Sequence, residues 1–270
     1  SLNKNYRVKL MNNLNNKNAG TVVENIENLH TIDRIKIKDF LAFKGEFASD
    51  FCPGINVLIG GNATGKTTLL RCMYLACSCV RFAKSEPQGR LAFASTYVDF
   101  FGSPPQGSLY QIADIDFNKI TYSLELAEAG RLVLLPPHFS ASAYKDFKGI
   151  GPDHAVYIPE KDILEHASGL LTFIQNKQTG FNRIYQEVLI SSMDVPTRKQ
   201  SEMQKSIGEK ISDIIGGAVK WDRSDGSFYT LRTDGSKIPF ANEASGFKKL
   251  GYLGLLVATG QLEDKSILFW

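Results

Sequence analysis

Residues 60–68 read Gly60-Gly61-Asn62-Ala63-Thr64-Gly65-Lys66-Thr67-Thr68. Three glycines, three threonines and a lysine fall in nine residues, directly behind the apolar run Ile55-Asn56-Val57-Leu58-Ile59. Gly60, Gly65, Lys66 and Thr67 fit the phosphate-binding loop pattern G-x-x-x-x-G-K-[ST]. Each residue type has a chemical reason. Glycine lets the backbone curl until successive N–H groups point at one anion. A helix that starts at the loop presents its positive end to the same anion. Lys66 then reaches the β- and γ-phosphates, and the Thr67 hydroxyl is placed to ligate Mg²⁺. At average residue usage the pattern recurs by chance in roughly one chain of this length per hundred. The loop pattern alone does not choose ATP over GTP.

The flanks supply the context that the motif needs. Ile55–Ile59 reads as a short strand buried on both faces of a sheet. From Thr67 to about Ala83, Leu69, Leu70, Met73, Cys77 and Val80 recur at helical spacing. Upstream, Ile32, Ile35, Ile37 and Phe40 mix with Arg34, Lys36 and Lys38, a half-exposed strand. Leu41–Phe47 is a second strand candidate, and Pro53-Gly54 is a turn. Residues 1–30 are polar and read as a poorly ordered or helical leader. Downstream, 84–110 reads as a loop with a short element, Tyr110–Asp116, Ile120–Leu126 and Leu132–Leu135 read as strands, and 138–153 is again loop-like. A brief strand at Val156–Pro159 leads to helical patterning over 162–215, with the polar stretch Thr197–Lys205 as a solvated face or a linker. Asp225-Gly226 and Asp234-Gly235 join Ala218–Trp221, Phe228–Leu231 and Ile238–Phe240 into a three-stranded meander. Leu250–Leu262 reads as a buried helix and Ser266–Trp270 as a final apolar strand.

The bulk properties narrow the class. The chain has 270 residues, 43% apolar and 22% charged, with a formal net charge of +3. That suits one large globular domain, or one domain carrying an inserted subdomain, without a global polycation signal. No apolar run spans a bilayer and the N-terminus lacks a signal-peptide pattern, so a cytoplasmic protein is expected. Cys52, Cys72, Cys77 and Cys79 fit neither a disulfide framework nor a zinc site, and read as reduced thiols. His30, His138, His154 and His166 show no metal spacing. A Lys36/Lys38 face touching DNA and a metal at Asp114 and Asp116 are the less favoured readings beside solvated side chains.

Ile37-Lys38-Asp39-Phe40, Phe47, then Pro53-Gly54-Ile55-Asn56-Val57-Leu58-Ile59-Gly60 and the loop resemble the N-terminal half of an ABC-type ATPase head of the SMC, RecF and OLD-like group. Ala63-Thr64 departs from the Gly-Ser more usual there. Asn242-Glu243-Ala244-Ser245-Gly246-Phe247-Lys248-Lys249-Leu250-Gly251 is similar to the signature segment of such heads, with Leu250–Gly260 as its helix. Ser245 as a helix N-cap is the competing reading. Ser266–Trp270 resembles a Walker B strand without the Asp-Glu that follows it in the group, which suggests a chain truncated within that strand and slow or absent hydrolysis. Tyr157-Ile158-Pro159-Glu160-Lys161-Asp162 resembles the joint between β lobe and helical insertion in OLD-like proteins. A Q-loop glutamine could be Gln106 or Gln111.

The resemblance implies an α/β P-loop fold with a mixed core sheet, an antiparallel β lobe and a helical insertion. The expected division is a polar leader at 1–30, the N-terminal part of the head at 31–161, the insertion at 162–215 and the C-terminal part at 216–270. It implies ATP and Mg²⁺ bound by Gly60, Gly61, Asn62, Ala63, Thr64, Gly65, Lys66, Thr67 and Thr68, with Thr67 on the metal. It further implies that Ser245 and Gly246 complete the site of a second copy, so that ATP joins two heads and hydrolysis releases them. DNA or an effector nuclease is the expected partner, in DNA repair or phage defence. A non-hydrolysing nucleotide-gated module and a transporter subunit are the alternatives; no LSGGQ-like sequence favours the latter.

Overall fold

Ile32, Ile35 and Ile37 are buried while Arg34 and Lys38 are exposed, and this alternation builds the first long strand. The computed structural model describes residues 9–11, 31–85, 92–96, 100–102, 110–117, 119–126, 131–135, 151–152, 154–159, 162–175, 183–193, 199–263 and 266–270. The chain divides into two units, Ser1–Ala155 and Val156–Trp270.

In the first unit the strands are β1 (Lys9–Met11), β2 (Ile32–Lys38), β3 (Glu46–Asp50), β4 (Val57–Ile59), β5 (Ala92–Thr96), β6 (Tyr110–Phe117), β7 (Ile120–Leu126) and β8 (Arg131–Leu135), with helix α1 at Lys66–Ser85. Six of them form one sheet in the order β3-β2-β6-β7-β8-β5, antiparallel at every step. This is the antiparallel lobe. A register shift between Ile32 and Arg34, where β2 meets β6, is a bulge that returns Ile32 to the inner face with Ile35 and Ile37. Ile115, Leu124, Leu132 and Leu134 are fully covered. Phe117 and Tyr122 meet edge to face at 6.0 Å. Helix α1 packs on β5, β6 and β8 through a face that includes Leu69, Leu75 and Ala76. Its cysteines Cys72, Cys77 and Cys79 are fully buried. All four cysteines are free thiols, and burial pushes the Cys72 thiol far up.

Three expectations need correction in this unit. Residues 41–45 do not extend; the strand begins at Glu46. Asp39, Leu41 and Gly45 have positive φ. Gly45 N–H donates to the Asp39 carboxylate at 2.7 Å and Asp39 N–H to Gly45 C=O at 3.0 Å, which closes a loop instead. The run Ile55–Ile59 is not buried on both faces. Only Val57–Ile59 is a strand, and Ile55, Val57 and Ile59 are 86%, 45% and 44% exposed. Its partner among the described residues is β1 alone, and a three-residue ladder covers neither face. Lys9–Met11 is therefore a strand within a segment expected to be helical or without order.

Strand β9 (His154–Tyr157) runs across the division at Ala155, and the second unit ends in β13 (Ser266–Phe269). These two pair, and Ile158 N–H donates to Phe269 C=O at 2.8 Å. Between them lie α2 (Ala167–Gln175), α3 (Arg183–Met193), α4 (Glu202–Ile215), a meander of β10 (Gly217–Asp222), β11 (Ser227–Arg232) and β12 (Lys237–Pro239), and α5 (Ser245–Ala258). Both meander steps are antiparallel. The stretch 197–205 resolves at Ser201, which caps α4. Gln204 N–H donates to Ser201 Oγ at 3.1 Å and Ser201 N–H to Gln204 Oε1 at 2.8 Å, a reciprocal capping box. Gly216 ends α4 in the left-handed conformation. Among the described residues β4 pairs with β1, and β13 pairs with β9. Helix α5 starts five residues before Leu250, because Ala244 is extended and Lys248 N–H already donates to Ala244 C=O at 2.9 Å.

Glycines set how closely α5 approaches its neighbours. A Cβ on Gly251 would stand 2.6 Å from Val219 Cγ2, and one on Gly254 3.1 Å from Ile211 Cγ2. Gly208 on α4 has open space around it. Gly208→Ala is expected to stabilise the protein by up to about 1 kcal/mol through helix propensity. Gly251→Val is expected to destabilise it by about 1–3 kcal/mol through overpacking. Thermal or urea unfolding of the two variants checks this pair of opposite signs.

Candidate functional site

The glycine-rich loop joins β4 to α1 and is braced on both sides. Before β4, Asn56 turns back on the Pro53-Gly54 turn. Its Nδ2 donates to Cys52 C=O at 2.8 Å and its Oδ1 accepts from Cys52 N–H at 3.1 Å. After β4 the chain reverses through Asn62 and Ala63, and Ala63 takes a positive φ of 59°. Thr64 Oγ1 donates to Gly61 C=O at 3.0 Å and holds the curl.

Gly65 has φ +96°, a conformation costly for any residue with a Cβ. Space demands glycine as well: a Cβ there would lie 2.8 Å from Phe43 Cζ and 2.9 Å from Phe43 Cε2. Phe43 is buried and its ring lies 5.0 Å from that of Phe47. Nearby, Phe40 meets Phe101 edge to face at 5.1 Å. The 39–45 loop is thus an aromatic floor under the last glycine. Sequence reading took Phe40 and Phe47 as landmarks and missed Phe43, the ring that touches the loop.

Helix α1 begins at Lys66, and Leu69 N–H donates to Gly65 C=O at 2.8 Å. Backbone N–H groups at a helix start point out along the helix axis, an arrangement suited to an anion. Lys66 Nζ donates to Gly60 C=O at 2.8 Å and to Gly61 C=O at 2.6 Å. The ammonium therefore lies across the mouth of the curl. Thr67 and Thr68 follow in the same turn, half-buried. One cation, first-turn amides, a hydroxyl at the second helical position and a curl that admits no side chain at Gly65 fit a polyphosphate, and the Thr67 hydroxyl is a hard oxygen donor that suits Mg²⁺.

Ser245 and Gly246 belong to the second unit, at the exposed start of α5. Ser245 is the first helical residue and Ala244 is the N-cap, without a side-chain cap bond. The reading of Ser245 as a side-chain N-cap is thereby corrected. The turn is held by ion pairs instead. Lys248 Nζ lies 2.5 Å from Glu165 Oε2, and Lys249 Nζ lies 3.0 Å from Asp162 Oδ1 and donates to Pro159 C=O at 2.8 Å. The hydrogen bond from Lys248, reinforced by its charge, holds the Glu165 carboxyl below its usual range.

Other candidates carry less. Arg34 pairs with Asp50 at 3.1 Å and Lys36 with Glu46 at 2.9 Å, and Asp116 and Asp114 stand opposite them on β6. This face neutralises itself, which argues against Lys36 and Lys38 as a DNA surface. Asp114 accepts from Ser123 Oγ at 2.8 Å and from Gln111, and among the described residues no cluster of His, Cys, Asp or Glu is arranged to hold a metal. Gln111 sits exposed on β6. Gln106, Glu160, Lys161, His30, His138 and the loop expected at 138–150 lie outside the described residues. No helix among the described residues is long and apolar enough to cross a membrane.

A strand, a glycine curl closed by a lysine, and a helix starting at that lysine define a P-loop nucleotide-binding domain. Residues 34–223 match the model of an AAA domain family, AAA_23. This is well over half of the chain, which belongs to that family. The matched span contains the loop and ends before Ser245. The chain is also 26% identical over 132 residues to the "DNA replication and repair protein RecF" of Oenococcus oeni, covering 49% of this chain and 32% of that protein. It thus spans about a third of that relative's length. A Smc head domain with an extended coiled coil, bound to the C-terminal domain of ScpA and derived from Pyrococcus furiosus, is similar at 15% identity and a TM-score of 0.38, over 86% of this chain and 79% of that one.

Gly65→Ala meets both the backbone penalty and the Phe43 ring. It is expected to lower nucleotide affinity at least about fivefold, since strain of this kind is on the order of 1–3 kcal/mol. Titration with a fluorescent ATP analogue checks it, with circular dichroism to confirm that the fold is kept.

Proposed function

We propose that this domain binds Mg-ATP in the Gly60–Thr68 loop and uses it to associate with a second copy, in a machine of DNA repair or phage defence. The observation that carries the reading is the loop itself: Lys66 closing a curl that only Gly65 can complete. In this role the amides of Gly61 to Thr68 wrap the phosphates, Lys66 exchanges its carbonyl partners for β- and γ-phosphate oxygens, and Thr67 Oγ1 holds Mg²⁺. When bound, Mg²⁺ neutralises phosphate charge and orients the terminal group. DNA as partner class follows the name of the RecF relative, and the self-neutralised β2 face directs any contact with DNA elsewhere. Ser245 and Gly246 are assigned to the γ-phosphate held by the other subunit. They sit exposed at a helix start, where backbone N–H groups and a hydroxyl point outward.

Lys66→Ala is expected to weaken Mg-ATP binding tenfold or more, because a hydrogen bond to a charged group is worth about 1.5–3 kcal/mol. Isothermal titration calorimetry reads it, and equal affinity in the variant overturns the phosphate role of Lys66.

Ser245→Arg places a bulky side chain where the second subunit's phosphate would sit. It is expected to leave ATP binding by the monomer within about twofold, because no contact with bound ATP within one subunit is lost, while abolishing association of the intact protein with a non-hydrolysable ATP analogue. Light scattering with and without the analogue decides. Association by the variant means that Ser245 does not face a partner's phosphate.

A further inference from the structure

We propose that Arg232 is the positioning residue of the α5 start, acting through Glu243 and Phe247; the inference rests on the phosphate role assigned above to Ser245 and Gly246. Arg232 ends β11, and its side chain reaches three places at once. Nη1 donates to the C=O of Ile215, the last residue of α4. Nη2 donates to Glu243 Oε2 at 2.8 Å. The guanidinium carbon lies 5.8 Å from the centroid of the Phe247 ring, within reach of a cation–π contact. Glu243 and Phe247 stand two residues before and two after Ser245. One planar cation therefore grips the segment on both sides of the assigned contact and ties it to the end of α4.

The grip is not interchangeable with a general packing contact. The side chains of Arg232 and Glu243 are 19% and 5% exposed. Glu243 Oε1 is buried without a hydrogen-bond partner, so the hydrogen bonding of this carboxylate comes from Arg232. Without the guanidinium, a buried carboxylate is left uncompensated and the segment must move to hydrate it. Ala244 supplies no side-chain cap to hold the helix start by itself. Lysine does not replace the arginine, because a single ammonium lacks the planar fork that reaches the Ile215 carbonyl, the Glu243 carboxylate and the Phe247 ring from one group. Phosphate recognition by first-turn amides depends on their placement, and a misplacement of about 1 Å can cost on the order of a hundredfold.

The test uses the intact protein with a non-hydrolysable ATP analogue, and compares Arg232→Lys, Glu243→Gln and Phe247→Leu with Ser245→Arg. Two quantities are read: nucleotide affinity at protein concentrations too low for association, and the protein concentration at half-maximal analogue-dependent association. Affinity is expected to stay within about twofold throughout. The association midpoint is expected to rise at least about tenfold for Arg232→Lys and Glu243→Gln, and about threefold for Phe247→Leu, whose ring is partly exposed. A merely structural role lowers the thermal midpoint but leaves association of the folded protein unchanged. That outcome in Arg232→Lys and Glu243→Gln overturns the proposal. If these two fail to fold, an unchanged midpoint in Phe247→Leu overturns it instead. If Ser245→Arg itself still associates, the assigned phosphate role is what fails.

Discussion

Phe43 stands where a side chain on Gly65 would have to go, and much of the first unit follows from that contact. The ring can reach Gly65 only because residues 39–45 close into a loop, with Asp39 bonding Gly45 through both backbone and carboxylate. That closure delays β3 until Glu46 and leaves Asp39 and Leu41 with positive φ. In return the last glycine of the phosphate loop rests on a buried aromatic rather than on water. A loop whose amides must converge on one anion gains from such support, because its donors are then arranged before the ligand arrives.

The loop was legible at once in the sequence, since its chemistry needs fixed residue types at fixed spacing. Helices and strands with strong periodicity were legible too: α1, β6 to β8 and the meander stand within a few residues of their expected places. What the sequence concealed were relations between distant residues. Nothing about Phe43 marks it as the ring beneath Gly65, a contact across more than twenty positions. Leu41–Phe47 looked extended because its apolar residues satisfy a strand pattern, while the Asp39–Gly45 closure that overrides it is a hydrogen-bond matter. Ile55–Ile59 carries the composition of a doubly covered strand, but cover comes from neighbours, and β1 alone does not provide it.

The second unit shows the same division. Asp225-Gly226 and Asp234-Gly235 announce their turns locally. The clamp of Arg232 on Glu243 has no local signal: an arginine ahead of a turn and a glutamate ahead of a helix are common surface residues. Only burial and the carbonyl of Ile215 reveal that they meet. The start of α5 is likewise set from afar, by acids at 162 and 165 acting on lysines at 248 and 249. A helix that lacks a side-chain cap is thus secured by charges drawn from the other end of its own unit.

The bond from Lys66 to the carbonyls of Gly60 and Gly61 bears on selectivity. The loop carries its own ammonium folded across its mouth, so an incoming anion meets a closed ring of hydrogen bonds rather than a bare charge. A ligand that touches the lysine alone exchanges two good bonds for one and gains little. A chain of phosphates can take the lysine and the first-turn amides together, and only such a ligand makes the exchange favourable. The same two carbonyl bonds therefore set a threshold that a single point contact with the lysine does not meet.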